Sequence, residues 1–456
     1  MHVVLLNQPF YPDVVATAQM GKDLADALVA RGHRVTAVSS RSIYGQTGAV
    51  LPKRETVDGV RIVRVGSNVF GKRGFLSRVF DFALYYALAA WKVLWMRPRP
   101  DVVVGFSTPP FIAALGILAR WMRGSRSVYW VMDLYPDVGV SGGVFRPGAL
   151  STRAMERFSR WLLRRSDAVV VLGRCMRERV LAKGVSPDHV HVITVWDASD
   201  RGPGPGAGER AGVTDGKAGA PPRADGSVFR ARWGLGDAFV VMYSGNLGLA
   251  HDAGTICEAM RRLKDRADIR FVFVGGGKRR AQVEAFIREH GLTNAQYREY
   301  VPREELGAML ASADAHLVTV DEQFRGLIVP SKLYSVLAVG RPVIYVGPEE
   351  SEIAMTLREL SAGEGVRTGD AEGLARVIVD LAADRARAGE MGRRAAAGVG
   401  GRFDRASACA RWADLLEALV HPCTTATHAG QRAAPAAPST ADASQASTPA
   451  TAMERL

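Results

Sequence analysis

Cysteine is scarce in this chain: four in 456 residues, at Cys175, Cys257, Cys409 and Cys423, with no CxxC or CxxH spacing. That argues against a zinc site and against a disulfide framework. No uninterrupted apolar run approaches the roughly 18 to 20 residues of a membrane-spanning helix. The opening MHVVLLNQPFYP carries neither a basic leader nor a small-residue cleavage site, so a cytoplasmic location is expected. After the first apolar run the chain reads NQPFYPDVVAT, without a glycine where a dinucleotide-binding GxGxxG would fall, which argues against a nicotinamide dehydrogenase. No helix-turn-helix, zinc or RNP-like pattern accompanies the basic charge, and nucleic acid is not expected as a partner.

What is present is a repeated αβ pattern. VVLLN is apolar throughout, as a strand covered on both faces reads, and an amphipathic helix from about Ala18 to Arg31 leads to RVTAVSS. The alternation continues through VRIVRV, DVVVGF, SVYWVMD, AVVVLG and VHVIT, giving one doubly wound parallel domain over residues 1–197. Residues 198–227 collapse to Gly, Pro, Ala and charge and read as a flexible linker. A second series runs over 228–402, through FVVMYSGNLG, FVFVGGGK, HLVTV and RPVIYVG. A closing helix over 403–422 is expected to pack back near the first domain, and the tail 423–456 reads as disordered. Two Rossmann-like halves place a cleft at the carboxyl ends of both sheets.

The net charge of +13 is concentrated. Between Lys72 and Arg99 stand six basic residues against Asp81, and between Arg153 and Arg165 five arginines against Glu156. Both clusters adjoin aromatic, helix-like segments such as FLSRVFDFALYYALAAWKVLW, a combination suited to an anionic membrane surface or a lipid diphosphate.

The second domain offers three loops at strand ends: SGNLGLAHD, GGGKRR and FRGLIVPSK. Glycine lets a backbone approach a ligand, and helix-start N–H groups attract oxyanions. In the third loop Pro330 suits the first turn of a helix, with Ser331 and Lys332 beside it. Gly245, Gly276, Gly277, Lys278, Pro330, Ser331 and Lys332 are therefore candidate donor-site residues. In the first domain Asp133, after SVYWVM, is the candidate base for a hydroxyl, and Asp137 reads as structural.

Taken in order, QPFYPD, GFSTPP, DLYPD, YSGNLGLAHD, VGGGKRR, VPREEL and PSKLYSVLAVGRPVI resemble family 4 glycosyltransferases of the GT-B fold, in the branch that builds bacterial surface polysaccharides. The resemblance implies a retaining, metal-independent transfer of sugar from a nucleotide diphosphate, with no cofactor. The acceptor it implies is a polyprenyl-diphosphate-linked saccharide at the inner face of the membrane. The family's phosphate-binding Arg and Lys fall on Asn246 and His251, and its paired glutamates on Leu327 and Ser335. By the same resemblance His251 and Asn246 are candidates to hydrogen-bond the donor phosphates, with Lys332 and Arg325 as the cations and Ser335 as a partner for a donor hydroxyl. Two other readings stay open: a sugar-nucleotide epimerase of similar fold, and a catalytically silent subunit of a polysaccharide assembly complex, the latter motivated by Leu327 and Ser335.

Overall fold

The computed structural model describes residues 1–13, 15–43, 50–66, 75–196 and 225–421. The expected tail 423–456 and nearly all of the expected linker lie outside them. The first lobe runs His2–Leu6 (β1), Ala16–Ala30 (α1), Arg34–Ser39 (β2), Arg54–Val57 (β3), Val60–Arg64 (β4), Phe75–Leu94 (α2), Val102–Gly105 (β5), Ala114–Arg123 (α3) and Arg126–Val131 (β6). It ends with Asp137–Ser141 (α4), Leu150–Arg165 (α5), Ala168–Val171 (β7), Arg174–Ala182 (α6) and Val190–Val192 (β8). The sheet order is β3-β4-β2-β1-β5-β6-β7-β8, reversing direction of growth between β1 and β5. All pairings are parallel except β3 with β4. That hairpin turns at Asp58 and Gly59, both at positive φ (51° and 77°), the backbone that an Asp-Gly pair adopts most readily in a two-residue hairpin.

The second lobe runs Ser227–Arg232 (α7), Phe239–Ser244 (β9), Gly254–Arg262 (α8), Ile269–Val274 (β10), Arg280–Glu289 (α9), Ala295–Arg298 (β11), Leu306–Ala311 (α10), Ala315–Thr319 (β12) and Lys332–Ala338 (α11). Val343–Val346 (β13), Glu352–Leu360 (α12), Gly363–Val366 (β14), Ala371–Ala383 (α13) and Arg385–Val399 (α14) complete it. Its six strands are ordered β11-β10-β9-β12-β13-β14, all parallel, with the switch between β9 and β12. The central strands β1, β5, β9 and β13 are buried at every position, as their unbroken apolar runs require when helices cover both faces.

The last helix, Arg405–Val420 (α15), returns to the first lobe. It lies against α1 with Arg31 Nη1 2.6 Å from Asp414 and His33 Nε2 2.7 Å from Glu417. Trp412 is fully buried, its ring 4.5 Å from that of Trp130, which also meets Trp196 at 5.9 Å. One expectation shifts: the helix of the PSK loop begins at Lys332, not Pro330. Leu333 N–H bonds the Pro330 carbonyl and Tyr334 N–H that of Ser331, so Pro330 opens a tighter turn that leads into the helix.

Candidate active site

The pocket of the second lobe is built on backbone. The loops after β9 and β10 lie against each other, with Leu247 N–H donating to the Gly276 carbonyl (2.7 Å) and Arg279 N–H to the Leu247 carbonyl (3.0 Å). Gly275 and Gly277 sit at φ of 128° and 120°. A Cβ on Gly275 would stand 2.4 Å from the Gly245 carbonyl oxygen, and one on Gly277 the same distance from that of Leu247. These two glycines thus serve the apposition of one loop to the other as much as any ligand. Gly276 lies under the ring of Tyr300, which is 60% exposed.

Lys332 reaches this pocket from the start of α11. Its stem is part exposed, but Nζ is buried without a hydrogen-bond partner among the described residues, 3.5 Å from the centroid of the Tyr243 ring and beside Gly245. Burial pulls its pKa well below the ordinary lysine value. An amine buried over an aromatic face with no counter-anion is chemically incomplete, and a phosphate oxygen is a group that would complete it by favouring the charged form.

His251 is buried nearby, and Nδ1 lies 2.6 Å from the Thr319 carbonyl, so Nδ1 carries the hydrogen. Burial, then the neighbouring Lys332 and Arg279 charges, push its pKa down to about 3. The neutral ring therefore presents Nε2 as an acceptor, suited to a hydroxyl or an N–H and not to the phosphate donation expected of it. The start of α8 is likewise taken: Asp252 accepts from Thr255 N–H (3.2 Å), and its carboxylate fills the place an oxyanion would need.

Arg325, the second cation expected, has its guanidinium bound to Glu350 (2.9 Å) and to that residue's carbonyl (2.9 Å). The cation the sequence reading passed over is Arg279. Its Nε is buried without a partner among the described residues, one Nη lies 3.4 Å from the Leu249 carbonyl, and it bears on His251. Its neighbours differ: Lys278 is exposed, and Arg280 is held by Glu284 (3.0 Å) and Glu299 (2.7 Å). Asn246 is exposed at the rim, Ser331 half-buried, and Pro330 and Ser335 buried. Leu327 packs in the core, 1% exposed.

The first lobe contributes Asp133, at the carboxyl end of β6. Its N–H donates to Ser107 Oγ (3.0 Å), while Gln8 N–H donates to the Thr108 carbonyl (2.9 Å), so the loops after β1, β5 and β6 are tied together. No cation or hydrogen-bond donor meets the Asp133 carboxylate among the described residues, and burial alone raises its pKa to about 6. Asp137 is occupied by Lys183 Nζ (2.7 Å), which also meets Glu156 (2.7 Å). The two lobes meet beside these groups. Leu134 N–H donates to the Leu327 carbonyl (3.2 Å), and Ser141 Oγ to that of Gln323 (2.8 Å). The first bond sets the residue next to Asp133 against the loop that leads to Lys332.

Two parallel-sheet lobes, a lysine whose amine is buried and unpaired at one carboxyl edge and a half-buried carboxylate at the facing one define a transferase of the GT-B class. Residues 17–196 match the family model of the glycosyl transferase 4-like domain, and residues 238–384 that of glycosyl transferases group 1. Among curated proteins, the probable glycosyltransferase WbjE of Pseudomonas aeruginosa is 26% identical over 74% of this chain and 78% of its own length. The putative colanic acid biosynthesis glycosyl transferase WcaI of Escherichia coli is 24% identical over 77% and 85%. Among solved structures, sucrose-phosphate synthase from Thermosynechococcus elongatus superposes with a TM-score of 0.71 at 17% identity, over 92% of this chain and 100% of the other. Anabaena HepE in complex with UDP-glucose gives 0.64 at 15%, with the same coverage. The chain belongs to the family 4 glycosyltransferases.

Proposed function

We propose that the chain moves a sugar from a nucleoside diphosphate to a hydroxyl of a polyprenyl-diphosphate-linked saccharide in the synthesis of a cell-surface polysaccharide. The supports are WcaI, named for colanic acid biosynthesis, and HepE, solved with UDP-glucose. Retention of the anomeric configuration rests on the family resemblance alone. The observation that carries the reading is the buried, unpartnered Nζ of Lys332. As the glycosidic bond to the diphosphate breaks, negative charge grows on the leaving oxygens, and a cation fixed in a water-poor pocket stabilises that charge more than it stabilises bound substrate. Arg279 supplies a second cation from the facing loop. Asp133, when ionised, accepts a hydrogen bond or the proton from the acceptor hydroxyl. Tyr300 offers an exposed ring beside Gly276 for a nucleobase. No described helix is long and apolar enough to cross a membrane, so a peripheral position on the inner membrane face is the arrangement that would bring such an acceptor to the cleft.

The test is a thermal-shift panel with UDP, GDP, ADP and uridine, repeated on Lys332→Met. Ligands that bind only the folded state raise the midpoint. One diphosphate, expected to be UDP, should shift the wild type selectively. The variant should bind it roughly 10- to 100-fold more weakly while nucleoside binding is kept, the usual cost of losing a charge-assisted hydrogen bond. Equal losses for diphosphate and nucleoside would remove Lys332 from this role.

A further inference from the structure

A row of aromatic side chains that the chemistry above does not use starts beside Asp133. Tyr135, two residues on, meets the ring of Phe111 edge-on at 6.4 Å. Phe111 meets Phe158 of α5 edge-on at 5.4 Å, and Phe158 stacks on Trp161 at 5.4 Å. The loops that carry the row are anchored. Ser159 Oγ donates to the Tyr135 carbonyl (2.7 Å), which ties the loop after Asp133 to α5. Tyr86 Oη donates to the Pro110 carbonyl, which holds the loop of Phe111 to α2. Because α5 precedes the parallel strand β7, its amino end lies at the carboxyl edge of the sheet, and the row runs from the cleft edge along that helix.

Phe111 stands at a φ of 69°, a left-handed backbone that a bulky side chain rarely adopts. Such strain persists where its surroundings fix it, and it gathers at ligand sites. Burial does not account for it here, since the Phe111 ring stays only half-buried and Phe158 is 39% exposed. Aromatic rings left partly open in series suit the C–H faces of successive sugar rings, which are apolar while their hydroxyls point to water. At the far end Trp161 lines an open cavity of about 430 Å³ walled by Arg157, Arg160, Arg164 and Arg165. Arg160 is paired with Glu156 and Arg164 donates to the Lys183 carbonyl, whereas the Arg157 side chain has no partner among the described residues. We infer that Tyr135, Phe111 and Phe158 form a subsite for the saccharide of the acceptor, and that this saccharide is several sugars long. Its non-reducing hydroxyl lies at Asp133, its rings follow the row, and the phosphate on its reducing end meets Arg157. The subsite deepens the transferase reading and rests on it for the direction of the chain, because Asp133 is the base only in that reading.

The test is saturation-transfer NMR of the full chain, with UDP present to occupy the donor pocket, titrated with cellotriose 1-phosphate, cellotriose and glucose 1-phosphate. Cellotriose 1-phosphate should bind most tightly, and saturation should reach the protons of all three of its rings. F158A and F111G should each weaken the trisaccharide roughly twofold to tenfold, the usual worth of one aromatic contact. Glycine is chosen at 111 because it accepts the left-handed backbone, so the ring is lost while the turn is kept. R157E should weaken cellotriose 1-phosphate at least about tenfold and leave neutral cellotriose as it was. Affinity that does not grow from glucose 1-phosphate to cellotriose 1-phosphate overturns the proposal. So does trisaccharide binding that F158A and F111G leave unchanged, or no binding at all. An unchanged UDP shift in each variant shows an intact fold and donor pocket. Trisaccharide binding of the expected pattern in a wild type that no nucleotide stabilises would sink the donor reading and leave the subsite standing; a UDP shift without saccharide binding would do the reverse.

Discussion

An amine buried without an anion prefers to be neutral, and desolvation pulls the pKa of Lys332, whose Nζ lies over the Tyr243 ring and beside Gly245, well below the ordinary lysine value. The proposed diphosphate would reverse that preference, raising the pKa and drawing in a proton. The sign follows: diphosphate affinity should fall as pH rises through the pKa of the free site. Calorimetry of UDP binding in two buffers of different ionisation enthalpy should register proton uptake, and uptake that persists in Lys332→Met would assign it elsewhere. Asp133 carries the opposite consequence. Its pKa is raised to about 6 by burial, and the ionised form is the proposed base, so kcat/KM should fall as pH drops through that value. A profile flat from pH 5 to 8 would dismiss Asp133 as base. At this scale the sequence was legible where a residue type is rare in its surroundings, as with Lys332 and Asp133. It was not legible in KRR, where three adjacent cations differ only in which way the chain turns them: Arg279 inward, Arg280 to Glu284 and Glu299, Lys278 to solvent. Nor does composition say that Arg325 finds Glu350.

Among the elements, the parallel strands and the helices between them follow from apolar periodicity, which is strong wherever both faces are covered. The half-exposed β3 gives a weaker signal, and the Asp-Gly turn after it is the only local mark of its hairpin. The glycine loops could be found by eye, but their purpose depends on a contact between segments about thirty residues apart in sequence. That contact makes a prediction. Gly277→Ala adds a Cβ 2.4 Å from the Leu247 carbonyl oxygen at a φ of 120°, and should cost more than about 2 kcal/mol and separate the two loops. Urea titration and loss of the UDP shift would show it; an unchanged midpoint would mean that the loops part freely. The bond between lobes is as specific. Glu352, on α12, is buried and accepts from Arg174 N–H (2.6 Å) and its guanidinium (3.0 Å). Because that guanidinium is 39% exposed, Glu352→Ala should cost only about 1 to 3 kcal/mol, most of it the orphaned N–H. A urea midpoint equal to that of the wild type would show the contact to be dispensable.

In the whole molecule, the second lobe does not end where its sheet ends. The chain leaves α14, and α15 returns to the first lobe, where Trp412 fills a space bounded by Trp130. That indole follows the second lobe in sequence and packs with the first. Removing it should therefore weaken the first lobe while leaving the diphosphate pocket its own shape. Trp412→Ala opens a cavity in a fully buried cluster, a change that costs about 3 to 5 kcal/mol in other cores. For lobes of this size the thermal midpoint should drop by at least about 6 °C. The increment added by UDP should stay as in the wild type, since the donor loops do not touch Trp412. If the midpoint fell and the UDP increment vanished with it, α15 would be holding the two edges of the cleft in register, and the carboxyl-terminal helix would have to be counted as part of the site.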